Sequence, residues 1–359
     1  MPSDIASPTT SPFSAVRPAG GAASLGNRKL VSAWLLLLAF MIWVMVGIGG
    51  YTRDSGSGLS IMKWEPIIGV LPPLSLDAWN KVFALYKTIP QYQLLHQGMD
   101  LAGFKQLFWP EYFHRLWGRL MGAVLLLPLI VFALTGRIET RLIKWLVLLF
   151  LLGGLQGFIG WYMVSSGFRP DSIAVEGWRL SLHFFGAMFL FAAVLWTALV
   201  VRAPEPVRYE GMRGLRRHTA VAFGLLLLAM WGGTMVSGIH GIADFSMTKE
   251  IGTGAPPPGW PMTGLLNSAA AIIFGHQCLA VLAALAIISL TVRALRGEAP
   301  GPVRDGALLV GGLVILQFVL GVTALVSGRI DIGVVHQLNA VLLMGGLLFM
   351  LFRLRGATR

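Results

Sequence analysis

The chain is poor in charge and almost without thiols. Only 12% of its 359 residues are Asp, Glu, Lys or Arg, where a water-soluble domain carries roughly 25%. With 55% of residues apolar or aromatic and a mean hydropathy of +0.72, a water-soluble globule is excluded. The single cysteine, Cys278, rules out a disulfide within the chain and any metal site built from paired thiolates. Acidic residues are scarcer than basic ones, 16 against 28, for a net charge of +12 and a pI near 10.4. In a soluble protein that excess would suggest nucleic acid. Here the basic residues collect in short connections between apolar runs, so the charge reads as membrane topology and no nucleic-acid partner is expected. The Gly-rich stretch GGYTRDSGSGLS at 49–60 lacks the Lys-Ser or Lys-Thr ending of a phosphate loop, which excludes nucleotide binding there.

What the chain has in abundance is long apolar runs. Eight segments of about bilayer length lack charge, near 30–51, 120–136, 145–168, 180–201, 218–243, 266–292, 306–328 and 332–352. They predict an all-α membrane protein of eight transmembrane helices in a lipid bilayer. Residues 1–29, rich in Ser, Pro, Ala and Gly, read as a disordered cytoplasmic tail and not as a cleaved leader. With the tail inside, segments 137–144, 202–217, 293–305 and 353–359 also fall inside. Together with the tail they hold well over half of the 28 Lys and Arg, which favours cytoplasmic N- and C-termini.

The chain repeats itself. LQGFIGWYMVSSG at 155–167 aligns without gaps on LQFVLGVTALVSG at 316–328, an offset of 161 residues. His114 and His276 each begin a long apolar helix 162 residues apart, and His183 and His336, each early in the helix after the repeated segment, are 153 apart. A shorter third outer loop is expected to account for the difference. Two pseudo-symmetric four-helix bundles follow, 30–205 and 212–356, related by a pseudo-twofold along the membrane normal. The repeated Leu-Gln pairs and the methionines read as packing residues.

This topology puts His114, His183, His276 and His336 near the outer ends of the even-numbered spans. Ionisable side chains at membrane depth are functional candidates. Two imidazoles on facing helices suit the two faces of one flat iron porphyrin, so two pairs make two haem sites. The alternatives are hydrogen-bonded core histidines, or zinc, for which no cluster of four ligands is in view. His96 and His240, in outer loops, and His218, at the inner edge, read as solvated.

The halves differ chemically. Glu111 precedes His114 by three residues and shares its helix face, and Pro110 is placed to start that helix. Glu111 is either a helix-start acid or a general acid or base beside the iron of the first site. Its counterpart before His276 is Ile273. Arg115 and Arg119, a turn apart, are either headgroup anchors or partners for haem propionates; Gln277 and Val281 replace them in the second half. The long outer loop 51–110 carries expected interfacial helices around 76–88 and 100–108, with Leu76, Trp79, Phe83 and Leu101, Phe104, Phe108 at helical spacing. These are expected to form a lid over the first site.

The stretches GGYTRDSGSGLSI at 49–61, KWEPIIGVLPPL at 63–74, IPQY at 89–92, FWPEYFHRLWGR at 108–119, LQGFIGWYMVSSG at 155–167, the His183 helix start and HQ at 336–337 resemble the haem A synthase family. The resemblance runs from about residue 30 to the end and is densest over 49–119. Without an outer-loop cysteine pair, it is to the proteobacterial and mitochondrial type. The chain departs from the family at Asp54 and Ser55, where members often have Leu-Thr, and at Gly275 and Gln277, where they often have Asp and Arg around the histidine.

The resemblance implies an oxidoreductase of the bacterial inner membrane that converts haem O to haem A for cytochrome oxidase. By matching position it implies Glu111, His114 and His183, with Arg115 and Arg119 beside them, at the substrate haem O. It also implies His276 and His336 as axial ligands of a cofactor haem b. Implied partners are the haem O-forming farnesyltransferase and an electron donor; a homo-oligomer is compatible with this reading. Rival readings of the residues alone are a di-haem b-type electron carrier and a haem transport protein.

Overall fold

Eight helices long and apolar enough to cross a bilayer carry the chain in a computed structural model that describes residues 21–65, 69–170, 172–239, 268–297 and 299–358. They are Gly21–Asp54 (α1), Leu101–Leu134 (α4), Thr140–Ser165 (α5), Gly177–Arg202 (α6), Arg213–Gly238 (α7), Ala269–Arg296 (α8), Gly301–Ser327 (α9) and Ile330–Arg353 (α10). Two short helices, Leu76–Tyr86 (α2) and Pro90–Leu95 (α3), lie in the connection between α1 and α4. The eight-span all-helical reading holds. The tail expected over 1–29 differs in its last part, since residues 21–29 already belong to α1.

The helices contact one another in a closed order, α1 with α4 and α6 and α5 with α4 and α6, and likewise α7 with α8 and α10 and α9 with α8 and α10. The first and last helix of each set, α1 and α6 and then α7 and α10, also meet one another and are the most buried. Helices α4, α5, α8 and α9 turn most of their apolar surface outward, as helices facing lipid do.

Without water at this depth, polar groups must find partners inside the protein. The indole nitrogens do so by bonding carbonyls of neighbouring helices: Trp34 to Val124 at 2.7 Å, Trp117 to Met41 at 2.9 Å and Trp43 to Leu338 at 2.9 Å. Ser181 on α6 meets Thr234 on α7 at 2.6 Å, fully buried. At the end opposite the histidines, two-residue strands Arg208–Tyr209 (β1) and Gly356–Ala357 (β2) pair in parallel, so the segment after α10 clasps the α6–α7 connection.

Two expectations need correction. Pro110 does not start a helix, because α4 is continuous from Leu101 to Leu134 with Pro110 and Pro128 inside it. The start signal lies ten residues earlier at Asp100, whose side chain accepts from the Gly103 N–H at 2.8 Å. At 1.5 Å per residue α4 is about 51 Å long, well beyond a hydrocarbon core of roughly 30 Å, so its first turns stand clear of the bilayer. The predicted segment 100–108 is thus that projecting part of α4. The second correction concerns the unequal histidine spacing. The shorter connection is the fourth outer one, residues 328–329 between α9 and α10, against 166–176 between α5 and α6.

Helix α2 forms as expected, with Ser75 accepting from the Ala78 N–H at 3.1 Å. Trp79 and Phe83 are buried against the projecting turns of α4, Trp79 on Phe108 with centroids 4.8 Å apart and Phe83 stacked on Phe104 at 5.0 Å. Leu76 points outward instead. The same aromatic cluster reaches Leu59, Val164 and Val175, so it sits over the junction of α5 and α6.

Candidate functional site: four imidazoles at glycine gaps

His183, His276 and His336 lie six or seven residues into α6, α8 and α10, about 9–10 Å from the helix start. His114 lies at the base of the projecting part of α4. His183 is within electrostatic reach of His114, and His336 within that of His276. The histidines therefore associate as one pair among α1–α6 and another among α7–α10.

Each ring rests where a neighbouring helix has no side chain. A Cβ on Gly160 would stand 2.9 Å from His183 Cε1, one on Gly321 2.8 Å from His336 Cε1, and one on Gly233 3.3 Å from His276 Cε1. In a helix the carbonyl of residue i points toward residue i+4. A glycine at i+4 leaves that oxygen open to a ring alongside, and its second lone pair can accept. In the second half the carbonyls so exposed are used. His276 Nδ1 is 3.0 Å from the Ala229 oxygen and His336 Nδ1 3.2 Å from the Gln317 oxygen, whereas at His183 it is the Gln156 side chain that engages, its Nε2 donating to the His183 carbonyl at 2.6 Å and lying 3.0 Å from Nδ1. A ring that donates Nδ1–H keeps its lone pair on Nε2, the tautomer an axial haem ligand requires. Among the described residues no three His, Cys, Asp or Glu side chains converge as a metal cluster. The donor set thus fits two planar macrocycles, each gripped by two imidazoles.

His114 is held differently. Its Nε2 edge faces Gly49, whose Cβ would lie 3.1 Å away, and among the described residues the ring makes no hydrogen bond. Beside it Glu111 is buried, with Oε1 accepting from Arg115 Nε at 2.5 Å. Among the described residues Oε2 makes no hydrogen bond, so one carboxylate oxygen is clamped and the other is not.

Arg115 and Arg119 hold a strap of the outer loop. Arg115 donates from Nη1 to the Lys63 carbonyl at 2.8 Å and from Nη2 to the Ile61 carbonyl at 2.5 Å, and Arg119 from Nη2 to the Glu65 carbonyl at 2.7 Å. Trp64, between these anchors, stacks on Trp161 of α5 with centroids 5.6 Å apart. Replacing Arg115 by Leu is expected to cost about 3–5 kcal/mol, because it strands Glu111 as a buried charge. Thermal unfolding of the detergent-solubilised protein checks this. Glu111→Leu combined with Arg115→Leu should recover part of the loss, since the stranded charge is gone.

Of the histidines read as solvated, His96 is half-buried and is not. Its Nδ1 lies 2.6 Å from the Tyr86 hydroxyl, which also bonds Gln91 Oε1 at 3.0 Å. Burial lowers the His96 pKa and raises that of Tyr86. Because Gln91 Nε2 donates to the Gly56 carbonyl at 3.0 Å, its Oε1 faces Tyr86 and takes the hydroxyl proton, which leaves His96 as the donor to Tyr86. The excess buried polarity of this loop is therefore paired internally and ties α2 and α3 to the end of α1. His218 Nε2 meets Ser289 Oγ at 3.1 Å, and His240 lies outside the described residues.

Comparison with known proteins bears on this arrangement. The COX15-CtaA family, described as "Cytochrome oxidase assembly protein", matches residues 32–348. The chain belongs to this family. Members similar to it include "Heme A synthase 2" of Acidiphilium cryptum (strain JF-5), 46% identical over 93% of this chain and 94% of its own length. "Heme A synthase" of Granulibacter bethesdensis is 47% identical over 93% and 89%, and that of Rhodospirillum centenum 40% identical over 94% and 91%. The COX15-CtaA match spans Glu111, all four paired histidines and the glycines they rest on.

Within this COX15-CtaA chain the glutamines of the repeat reach the histidine rings, which a packing reading misses. Leu155 and Leu316 do face outward, but Gln156 Nε2 lies 3.0 Å from His183 Nδ1, and Gln317 Nε2 lies 3.2 and 3.1 Å from the two ring nitrogens of His336. The signal was present in the repeat: Leu-Gln followed four residues later by Gly occurs at the same offset in both halves. Arg179, one turn before His183, is also missed. It is buried against Tyr162, 3.9 Å from the ring centroid, and pairs with Glu176 at 2.8 Å.

Proposed function

We propose that the chain converts haem O to haem A for cytochrome oxidase, oxidising the C8 methyl to a formyl group by successive hydroxylation and loss of water. The observation that carries this reading is the buried carboxylate of Glu111 beside one imidazole pair and not the other. The halves 30–205 and 212–356 act as two four-helix bundles, the first taking haem O as substrate between His114 and His183. The second holds haem b between His276 and His336. When bound, haem b supplies reversible one-electron chemistry.

The unequal fixing of the imidazoles supports this division. Both rings of the second pair are tied to carbonyls, as a permanent cofactor requires, whereas His114 of the first pair is not, as suits a macrocycle that must leave.

Glu111 is the acid–base group. Loss of water from a hydrated formyl carbon needs one proton removed from oxygen and one delivered to the departing hydroxyl. A carboxylate with Oε1 fixed by Arg115 and Oε2 open can do both in turn. His183 and His114 set where the methyl lies relative to Oε2. The distribution of Lys and Arg supports insertion in the inner membrane with both termini cytoplasmic. A farnesyltransferase that forms haem O and a one-electron donor are the partners of this reading, and carrying the methyl carbon to a formyl, which removes four electrons from it, further needs a terminal oxidant.

Co-expression with a haem O source and extraction of the porphyrins tests the reading. Haem A is expected with the intact chain and not with His114→Ala. Haem b alone under active turnover would overturn it.

A further inference from the structure

At the end of the bundle opposite the histidines, the start of α7 lies against the end of α8, and both are basic. Arg213, Arg216 and Arg217 open α7, whose first turn has no acidic residue, and Arg293 and Arg296 close α8. A Cβ on Gly214 would stand 2.6 Å from Arg293 Nη2, so this guanidinium lies against α7 where α7 has no side chain. Arg293 and Arg296 are exposed, and among the described residues neither side chain makes a hydrogen bond or an ion pair. One turn deeper, Ser289 donates to the Ala286 carbonyl at 3.0 Å, which leaves its oxygen to accept from His218 Nε2 of α7, 3.1 Å away.

From these polar groups an open groove of about 700 Å³ continues along α8, with exposed Leu285, Ile288 and Val292 as its apolar wall. Leu285 is eleven residues from Arg296, about 16 Å along the helix, which matches the hydrocarbon depth of one leaflet, roughly 15 Å. The first half has no such surface. In α4, at the places 162 residues earlier than Ser289, Arg293 and Arg296, stand Leu127, Val131 and Leu134, all exposed. A helix side that meets only lipid tails is apolar throughout, as in α4, whereas charged groups above an apolar wall match a molecule with an anionic head and an acyl tail.

We propose that the groove between the start of α7 and the end of α8 is a binding site for an anionic phospholipid, with Arg293 and Arg296 on the phosphate and one acyl chain along Val292, Ile288 and Leu285. Guanidinium groups pair with phosphate oxygens through two parallel hydrogen bonds, and basic pockets between helices at the membrane surface select anionic headgroups. A bound lipid offsets the crowded positive charge and joins α7 to α8 at the end remote from His276.

Native mass spectrometry of the detergent-solubilised full chain, titrated with dioleoyl phosphatidylglycerol or dioleoyl phosphatidylcholine, tests this. The phosphatidylglycerol is expected to bind more tightly. Arg293→Gln should weaken it about fivefold and Arg293→Gln with Arg296→Gln roughly 30-fold, at about fivefold for each basic group lost. Arg137→Gln with Arg141→Gln, at the same end of the first half, should leave it unchanged, as should inorganic phosphate in excess. Arg293→Gln alone carries the test if the double variant does not fold. Equal affinity for the two lipids, undiminished phosphatidylglycerol binding in Arg293→Gln, equal loss in the Arg137 and Arg141 variant, or displacement by inorganic phosphate would overturn the proposal.

Discussion

Changing Glu111 to Gln is expected to lower haem A formation by at least about 100-fold while both macrocycle signals persist in the optical spectrum, the magnitude being that of a lost general acid–base group. The substitution keeps the size of the side chain and a hydrogen-bond acceptor for Arg115 Nε, so the strap over Ile61 and Lys63 stays anchored. What it removes is the capacity to take up and return a proton. Quantifying haem O, haem A and any hydroxylated intermediate in the extracted pigment checks the result. Accumulation of haem O or its hydroxylated form places Glu111 in the chemistry, and undiminished haem A removes it. A di-haem electron carrier would be indifferent to the change, since no reaction at a single site depends on a proton there.

The second large effect is expected from glycines. Gly321→Val should empty the second half of its haem and leave the first loaded, and Gly160→Val should do the reverse. The first Cβ position lies 2.8 Å from His336 Cε1 and the second 2.9 Å from His183 Cε1, each closer than a real Cβ approaches a ring atom. A branched side chain must either push the imidazole away from the site or force the helices apart, and close packing makes both costly. Pigment per chain should fall from two macrocycles to one in either variant. For Gly321→Val haem A formation should fall too, because the fixed site is lost. Two macrocycles retained in both variants would mean that the rings have room to move, and the glycine gaps would lose their role.

Much of this arrangement was legible in the primary structure. Hydropathy alone locates eight spans, because a bilayer demands uninterrupted apolar helices. The four histidines stand out because ionisable side chains are rare at that depth. Glu111 stands out by its spacing from His114. The parts that were not legible depend on partners distant in the chain. Pro110 reads as a helix start, yet the N-terminal signal that prevailed was Asp100, and the intervening turns gain their stability from packing against Trp79 and Phe83. Arg115 and Arg119 read as groups for anions, and their use on carbonyls 52 and 54 residues away depends on how the loop folds back. His96 read as solvated because nothing local marks Tyr86 as its neighbour. Gln156 and Gln317 looked like packing residues since their meaning lies in which helix their side chains face.

Helix α1 has a consequence for biogenesis. Its adjacent glycines serve opposite partners, Gly49 against His114 and Gly50 against Gln337, the residue next to His336, and Trp43 bonds the carbonyl of Leu338. Helix α1, already packed on α4 and α6, therefore completes its contacts only when α10 is in place. A nascent chain stalled before α10 has neither a completed second pocket nor a settled wall for the first. A chain truncated before Ile330 is expected to lose the seat of Gly50 and Trp43 together with His336, so the first helix and the last stand or fall as one wall.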